Sequence, residues 1–162
     1  MAQDSEALLE RFHRHGIEFV VIGGFCGVLY GVTLVTKDVD VCCRFTIDNL
    51  RRLEAAVSDL HPLHRMTPNR LPLELTEELC TRLKNLYLHT DFGTIDCISE
   101  VAGIGDFDAV LGQSVPVQFG FGECRMLGID ALIQAKETAG RPHDLIAVRM
   151  LRAIKERLQN DR

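Results

Sequence analysis

The stretch that decides the fold is VIGGFCGVLYG at residues 21–31, followed closely by TKDVDV at residues 36–41. The first part continues a β-branched run at residues 17–22 through two glycines, which predicts a strand, a turn and a helix over residues 25–33. The second part alternates polar and apolar residues, which is typical of a strand with one face towards the core. The two parts together predict two strands connected through a glycine turn and a short helix.

The second predicted strand carries two carboxylates, Asp38 and Asp40, at alternate positions. Alternation places both on one face of the strand and sends Val39 and Val41 to the other face. Two carboxylates on one face repel each other unless a cation neutralises them, and hard oxygen ligands of this kind suit Mg²⁺ or Mn²⁺. The pattern favours a divalent-cation site, and its plainer alternative is a solvated strand edge.

The glycine pair Gly23 and Gly24 stands where the first strand gives way to the helix. Because glycine has no Cβ, backbone N–H groups at the start of that helix can approach phosphate oxygens closely. A phosphate cradle beside a pair of metal-binding carboxylates is suited to phosphoryl or nucleotidyl transfer. Taken alone, the two glycines have a plainer interpretation as an ordinary strand-to-helix turn.

A third acid, Asp96, stands in the apolar run TIDCIS. The surrounding pattern predicts two strands, at residues 85–90 and 94–99, joined by a hairpin turn. A carboxylate inside an apolar strand needs a partner.

Composition limits the classes of protein that this chain can belong to. The 162 residues are 46% hydrophobic and 25% charged, with a formal charge of −5 and a pI near 5.6. This balance excludes intrinsic disorder and fibrous repeats, and it predicts one α/β domain over residues 1–162. The acidic charge and the absence of Trp argue against a nucleic-acid partner but leave a local basic groove open.

The sequence also indicates where the protein resides. Residues 19–36 carry no charge, but glycines and threonines dilute this stretch and charges follow at once, so a membrane span is not predicted. The six cysteines show no metal-ligand spacing, and the chain starts with a charged helical segment rather than a signal peptide. We therefore expect reduced, mostly buried thiols in a cytoplasmic protein.

The order of these features resembles the DNA-polymerase-β-like nucleotidyltransferase superfamily, whose signature is a GG or GS turn, an acidic pair and a third acid. A bacterial subgroup related to AbiEii-type toxin nucleotidyltransferases and minimal nucleotidyltransferases has a late segment similar to IDALIQAKETAGRPHDLIAVRML at residues 129–151. The likeness covers a core at about residues 17–151. It implies an α/β (α+β) fold in which helices pack on a mixed β-sheet.

The resemblance also implies a role for each site residue. Asp38, Asp40 and Asp96 would be catalytic and would hold Mg²⁺ or Mn²⁺. The nucleotide would be bound by a second set of residues: Gly23, Gly24, Thr36, Lys37, Lys136 and Arg141. The reaction would move a nucleoside monophosphate from an NTP to an acceptor hydroxyl of a small molecule, an RNA end or a protein side chain, with release of pyrophosphate.

One departure from the family pattern keeps alternatives open. Many relatives carry an Arg two residues before the Thr of the TxDxD stretch, where this chain has Leu34. Lys37 is a candidate replacement, although strand alternation predicts that it lies opposite Asp38. The alternatives are a non-catalytic module that binds a nucleotide or a partner, and a toxin that pairs with an antitoxin-like protein.

Overall fold

Seven strands form one mixed sheet at the centre of the computed structural model, which describes residues 3–161. The strands of this sheet are β1 (Phe19–Ile22), β2 (Asp38–Cys43), β3 (Leu63–His64), β4 (Asn85–Thr90), β5 (Gly93–Ile98), β8 (Ser114–Phe119) and β9 (Gly122–Leu127). A second, two-stranded sheet consists of β6 (Glu100–Val101) and β7 (Gly105–Asp106). The helices are α1 (Ser5–Arg14), α2 (Gly23–Tyr30), α3 (Ile47–Val57), α4 (Glu77–Arg82), α5 (Phe107–Gly112), α6 (Ile129–Ala139) and α7 (Pro142–Asn160).

The strand order in the large sheet is β3-β4-β5-β2-β1-β9-β8. The β2–β5 and β1–β9 pairs are parallel, whereas the other neighbouring strands are antiparallel. Helices α1 and α3 pack together, and α2, α6 and α7 form a second packed group. The mixed sheet with helices packed on it, predicted from the sequence, is therefore confirmed.

Alternation along the two central strands separates the core from the polar face. Val39 and Val41 on β2 are fully buried, as are Ile95 and Cys97 on β5. Burial of each aliphatic side chain of this size stabilises the fold by about 1.5–3 kcal/mol. The acidic residues between them lie on the other face of the sheet, as the sequence pattern predicts.

Several boundaries differ from the sequence-based expectations. Strand β1 starts at Phe19 rather than at residue 17, and α2 starts at the glycine pair itself rather than at residue 25. Helix α2 ends at Tyr30 because Gly31 adopts a left-handed conformation with φ of +111°. Strands β3, β6 and β7 were not predicted, because two residues are too few to show any periodicity.

The charge-free stretch at residues 19–36 is divided between β1 and α2. Between residues 3 and 161, no helix is long and apolar enough to cross a membrane. All six cysteines are buried and unpaired, as the sequence predicts.

Candidate active site

Asp40 and Asp96 lie side by side in the sheet. Strands β2 and β5 are parallel, and their register pairs these two residues directly. Asp38 stands two residues earlier on β2, opposite Thr94, and its carboxylate accepts a hydrogen bond from the Thr94 hydroxyl. Paired residues of neighbouring strands point to the same side of a sheet, so the three predicted acids share one face of it.

The turn between β1 and α2 brings the backbone against the carboxylate of Asp40. Gly23 has φ of +67°, a conformation that side chains rarely allow. A Cβ at this position would also overlap the Asp40 carboxylate. A Cβ on Gly24 would lie 2.8 Å from Cγ2 of Thr36, which is closer than real Cβ atoms approach. Gly23 is therefore required both for its backbone conformation and because a Cβ would clash there. Gly24 is required because a Cβ would clash with Thr36.

A cavity of about 460 Å³ lies beside this turn and the two strands. All nine residues that the sequence predicts for catalysis and nucleotide binding line it: Gly23, Gly24, Thr36, Lys37, Asp38, Asp40, Asp96, Lys136 and Arg141. Its volume is within the range of small-molecule sites. Lys37 lines the cavity together with Asp38 and stands immediately before the first residue of β2. The placement of its side chain relative to Asp38 stays a prediction.

Asp144 holds the two cationic side chains of the cavity that come from α6 and the start of α7. Asp144 is 2% exposed, and its carboxylate lies 2.7 Å from Nε of Arg141 and 3.8 Å from Nζ of Lys136. Burial alone would raise the pKa of Asp144, but the hydrogen bond and charge of Arg141 and the charge of Lys136 hold it below its usual value. The buried carboxylate therefore fixes both cations at the cavity.

Burial and mutual repulsion act on the carboxylates themselves. Burial, together with the charges of Asp96 and Asp38, raises the pKa of Asp40 to about 6, against the lowering effect of Lys136 and of the Gly24 N–H. Burial is also the largest cause of the raised pKa of Asp96. Burial therefore disfavours the ionised form of both carboxylates, and repulsion from the neighbouring acids adds to this effect at Asp40.

A further cationic residue at the site was not found from the sequence. Arg65 follows β3, and its Nη2 donates a hydrogen bond to Oδ1 of Asp96 at 2.5 Å. The sequence assigns residues 61–72 to a loop, and no periodicity or motif in that stretch singles out the arginine. Its contact depends on the pairing of β3 with β4, which local sequence does not reveal.

Two solved structures have the same architecture over nearly their whole length. The lincosamide antibiotic adenylyltransferase LnuA, bound to lincomycin, superposes with a TM-score of 0.62 at 12% identity, over 95% of this chain and 99% of LnuA. ANT(2″)-Ia in complex with adenylyl-2″-tobramycin superposes with a TM-score of 0.56 at 13% identity, over 96% of this chain and 95% of that chain. The chain has the nucleotidyltransferase fold. No family model and no curated protein matches the sequence.

The nucleotidyltransferase fold expected from the resemblance is thus confirmed, whereas the AbiEii-type subgroup stays a prediction. The roles of the site residues also stay predictions, because identities this low show the fold alone. What the structure adds is the placement of all nine residues around one cavity.

The carboxylates at the cavity of this nucleotidyltransferase fold are the type of ligand that a divalent cation such as Mg²⁺ binds. Between residues 3 and 161, no three His, Cys, Asp or Glu side chains come close enough together to form a complete metal site. The carboxylate of Asp96 is engaged by Arg65, and that of Asp38 by the Thr94 hydroxyl. Mg²⁺ commonly takes one or two protein carboxylates and completes its shell with waters and phosphate oxygens, so the paired Asp40 and Asp96 match its demands.

Asp144→Ala is expected to lower the free energy of unfolding by about 3 kcal/mol, because it leaves the buried Lys136 ammonium without its carboxylate partner. The pKa of Asp144 in the folded chain lies below its ordinary value of 3.8. Its stabilisation is therefore fully present above that pH and is lost as the pH falls through the folded pKa. Urea titrations of both proteins from pH 7.5 downwards should show the difference shrinking in acid, and a difference independent of pH would contradict the ionic role.

Proposed function

We propose that the chain is a metal-dependent nucleotidyltransferase, which moves a nucleoside monophosphate from an NTP to an acceptor hydroxyl and releases pyrophosphate. The observation that carries this proposal is the pairing of Asp40 with Asp96 at a cavity that also holds Lys136 and Arg141. Carboxylates and cations in one cavity provide ligands for a metal ion and positive charge for phosphate oxygens.

In the proposed reaction, a bond forms between the acceptor oxygen and the α-phosphorus, and the bond from that phosphorus to the pyrophosphate oxygen breaks. Asp38, Asp40 and Asp96 would hold the cation. Bound Mg²⁺ or Mn²⁺ would neutralise phosphate charge and lower the pKa of the acceptor hydroxyl. Asp96 is the carboxylate proposed to accept the hydroxyl proton.

The remaining cavity residues would bind the triphosphate. The first backbone N–H groups of α2 have no partners within the helix and would bind phosphate, and the N–H of Gly24 already faces the Asp40 carboxylate. Lys136 and Arg141 would supply charge that Asp144 holds in place. Lys37, which lines the same cavity, would replace the positive charge of the arginine that many relatives carry where this chain has Leu34.

A small-molecule acceptor is the class that the comparisons favour. The structure of LnuA holds lincomycin and that of ANT(2″)-Ia holds adenylyl-2″-tobramycin, and both chains match this one over almost their whole length. We therefore place a small hydroxyl compound before an RNA end or a protein side chain as the acceptor. The comparisons give no support to an antitoxin-like partner.

The proposal is tested by incubating the chain with each α-³²P-labelled NTP and Mg²⁺ or Mn²⁺. Lincomycin, tobramycin, total RNA and the chain itself serve as acceptors. The expected result is cation-dependent transfer of label, with one pyrophosphate released for each label transferred. NTP binding without transfer to any acceptor would instead favour a non-catalytic module on the same fold.

Lys136→Met is expected to weaken NTP binding by about ten- to a hundredfold, because one charged hydrogen bond to phosphate is worth about 1.5–3 kcal/mol. Calorimetric titration with a non-hydrolysable NTP and Mg²⁺ measures the change. Lys155→Met is the matched control, since Lys155 pairs with Asp130 at 2.6 Å and does not line the cavity. Equal losses of affinity in the two variants would contradict a phosphate contact at Lys136.

A further inference from the structure

Arg65 is fixed beside the carboxylate cluster by three contacts. Its backbone N–H donates to the carbonyl oxygen of Tyr87 at 2.9 Å, which holds it at the edge of β4. Its guanidinium carbon lies 5.6 Å from the centre of the Tyr87 ring. Its Nη2 reaches Oδ1 of Asp96 at 2.5 Å, and the two side chains are 28% and 15% exposed. The guanidinium is therefore held in contact with Asp96, which is one of the predicted cation ligands.

The formal charges around the carboxylate cluster balance only when Arg65 is included, which contacts Asp96 but is not among the residues that line the cavity. The lining residues contribute three cationic side chains, Lys37, Lys136 and Arg141, and four carboxylates, which are the three predicted acids and Asp144. With histidine counted as neutral, the formal charge of the lining is −1. The guanidinium of Arg65 brings it to zero without any bound ion.

The contact between Arg65 and Asp96 leaves part of the guanidinium without a partner. Nη2 is the nitrogen that donates to the carboxylate, and among residues 3–161 the buried Nε of Arg65 finds no hydrogen-bond acceptor. An arginine that serves as a permanent carboxylate partner usually makes two parallel hydrogen bonds and leaves no buried donor unpaired. When another cation replaces the guanidinium, a contact through one nitrogen loses less free energy than a contact through two.

We propose that Arg65 is the resident counter-cation of the metal-free site, and that a divalent cation binds by displacing its guanidinium from Asp96. This inference rests on the proposed function, because it places the cation at Asp40 and Asp96. Like charges repel, so Arg65 weakens the binding of a bare cation. An NTP supplies phosphate oxygens to which the displaced guanidinium can turn, and metal binding is thereby coupled to nucleotide binding.

The test compares the wild-type chain with Arg65→Met, Arg65→Lys and the control Arg82→Met. Arg82 also pairs with a carboxylate, that of Glu78 at 2.8 Å, but both residues lie on α4 and Glu78 is not one of the predicted cation ligands. Mn²⁺ affinity is measured at one pH by calorimetric titration, with and without a non-hydrolysable NTP. Melting temperature is measured in EDTA.

Without nucleotide, Arg65→Met should bind Mn²⁺ roughly tenfold more tightly than the wild type, the size expected for removal of a unit charge a few ångströms from a divalent ion at high effective dielectric. It should melt lower in EDTA, because Asp96 has lost its counter-ion. The gain in Mn²⁺ affinity that NTP brings should be smaller than in the wild type. Arg65→Lys keeps the charge and should behave like the wild type, as should Arg82→Met.

If the wild type binds Mn²⁺ and Arg65→Met binds it with equal or lower affinity, the proposed role of Arg65 is overturned. The proposed metal-dependent function is not affected by that result. Absence of Mn²⁺ binding in every protein, with and without nucleotide, overturns the proposed metal-dependent function as well. If Arg65→Met does not fold, Arg65→Gln removes the same charge with a polar side chain and answers the same question.

Discussion

An Asp38→Asn/Asp40→Asn variant is expected to lose label transfer by a factor of about a thousand or more and yet to melt at a higher temperature than the metal-free wild type. The loss of activity follows from removal of two of the three carboxylates proposed to hold the cation, since an electrostatic contact at a reacting phosphate contributes about 10²–10³ in rate. Asparagine keeps the shape of each side chain and removes its charge.

The rise in melting temperature follows from the cost of the buried charges. The pKa of Asp40 in the folded chain, about 6, lies above its ordinary value of 3.8. At pH 7.5 the ionised carboxylate therefore disfavours the folded state, and its replacement by an amide should stabilise the chain by about 1–3 kcal/mol, or about 3–9 °C.

Calorimetric melting in EDTA and in Mn²⁺ measures both proteins, and Mn²⁺ should stabilise only the wild type. Asp48→Asn is a suitable control, because Asp48 is exposed on α3 and does not line the cavity. Equal melting temperatures, with no response to Mn²⁺ in either protein, would count against an active site at these residues.

A Gly24→Ala/Thr36→Ser variant is expected to fold like the wild type and to bind NTP at least about a hundredfold more weakly. Alanine alone would place its Cβ 2.8 Å from Cγ2 of Thr36, and serine at position 36 removes that methyl group while keeping the hydroxyl. The Cβ of the alanine stays at the turn beside position 36, and both positions line the cavity. We expect it to keep phosphate oxygens from approaching the backbone N–H groups there.

Titration with a non-hydrolysable NTP and Mg²⁺ measures this effect, and melting curves confirm the fold of the variant. Thr36→Ser alone is the control and should retain wild-type affinity, because it keeps the hydroxyl and adds nothing to the turn. Wild-type affinity in a folded double variant would remove the phosphate role of the glycine turn.

The parts of the site that the sequence predicts are those encoded by short-range periodicity. The two-residue spacing of Asp38 and Asp40 is enough to put both carboxylates on one face, and the structure places them there. The position of Asp96 beside Asp40 depends on the register between β2 and β5, which no local pattern encodes. The resemblance to a family, rather than periodicity, brought Asp96 into the set.

Residues outside regular elements were predicted less well. Lys37 precedes the first residue of β2, so the strand pattern does not by itself place its side chain. Arg65 lies in a segment with prolines on either side and no periodicity, and its contact with Asp96 exists only because β3 pairs with β4. Such contacts follow from long-range pairing and become visible only in the folded chain.

The parallel pairing of β2 with β5 has a consequence for how this protein can diversify. It joins residues 56 positions apart, such as Asp38 and Thr94, and the chain between them makes one excursion that contains α3, β3, α4 and β4. Doubling the length of a flexible loop costs only about 0.6 kcal/mol in closure entropy, so insertions in the loops of this excursion leave the pairing of the strands intact. Because Arg65 belongs to this excursion, evolution or a designed library can exchange the group that faces Asp96 while the paired carboxylates stay in register.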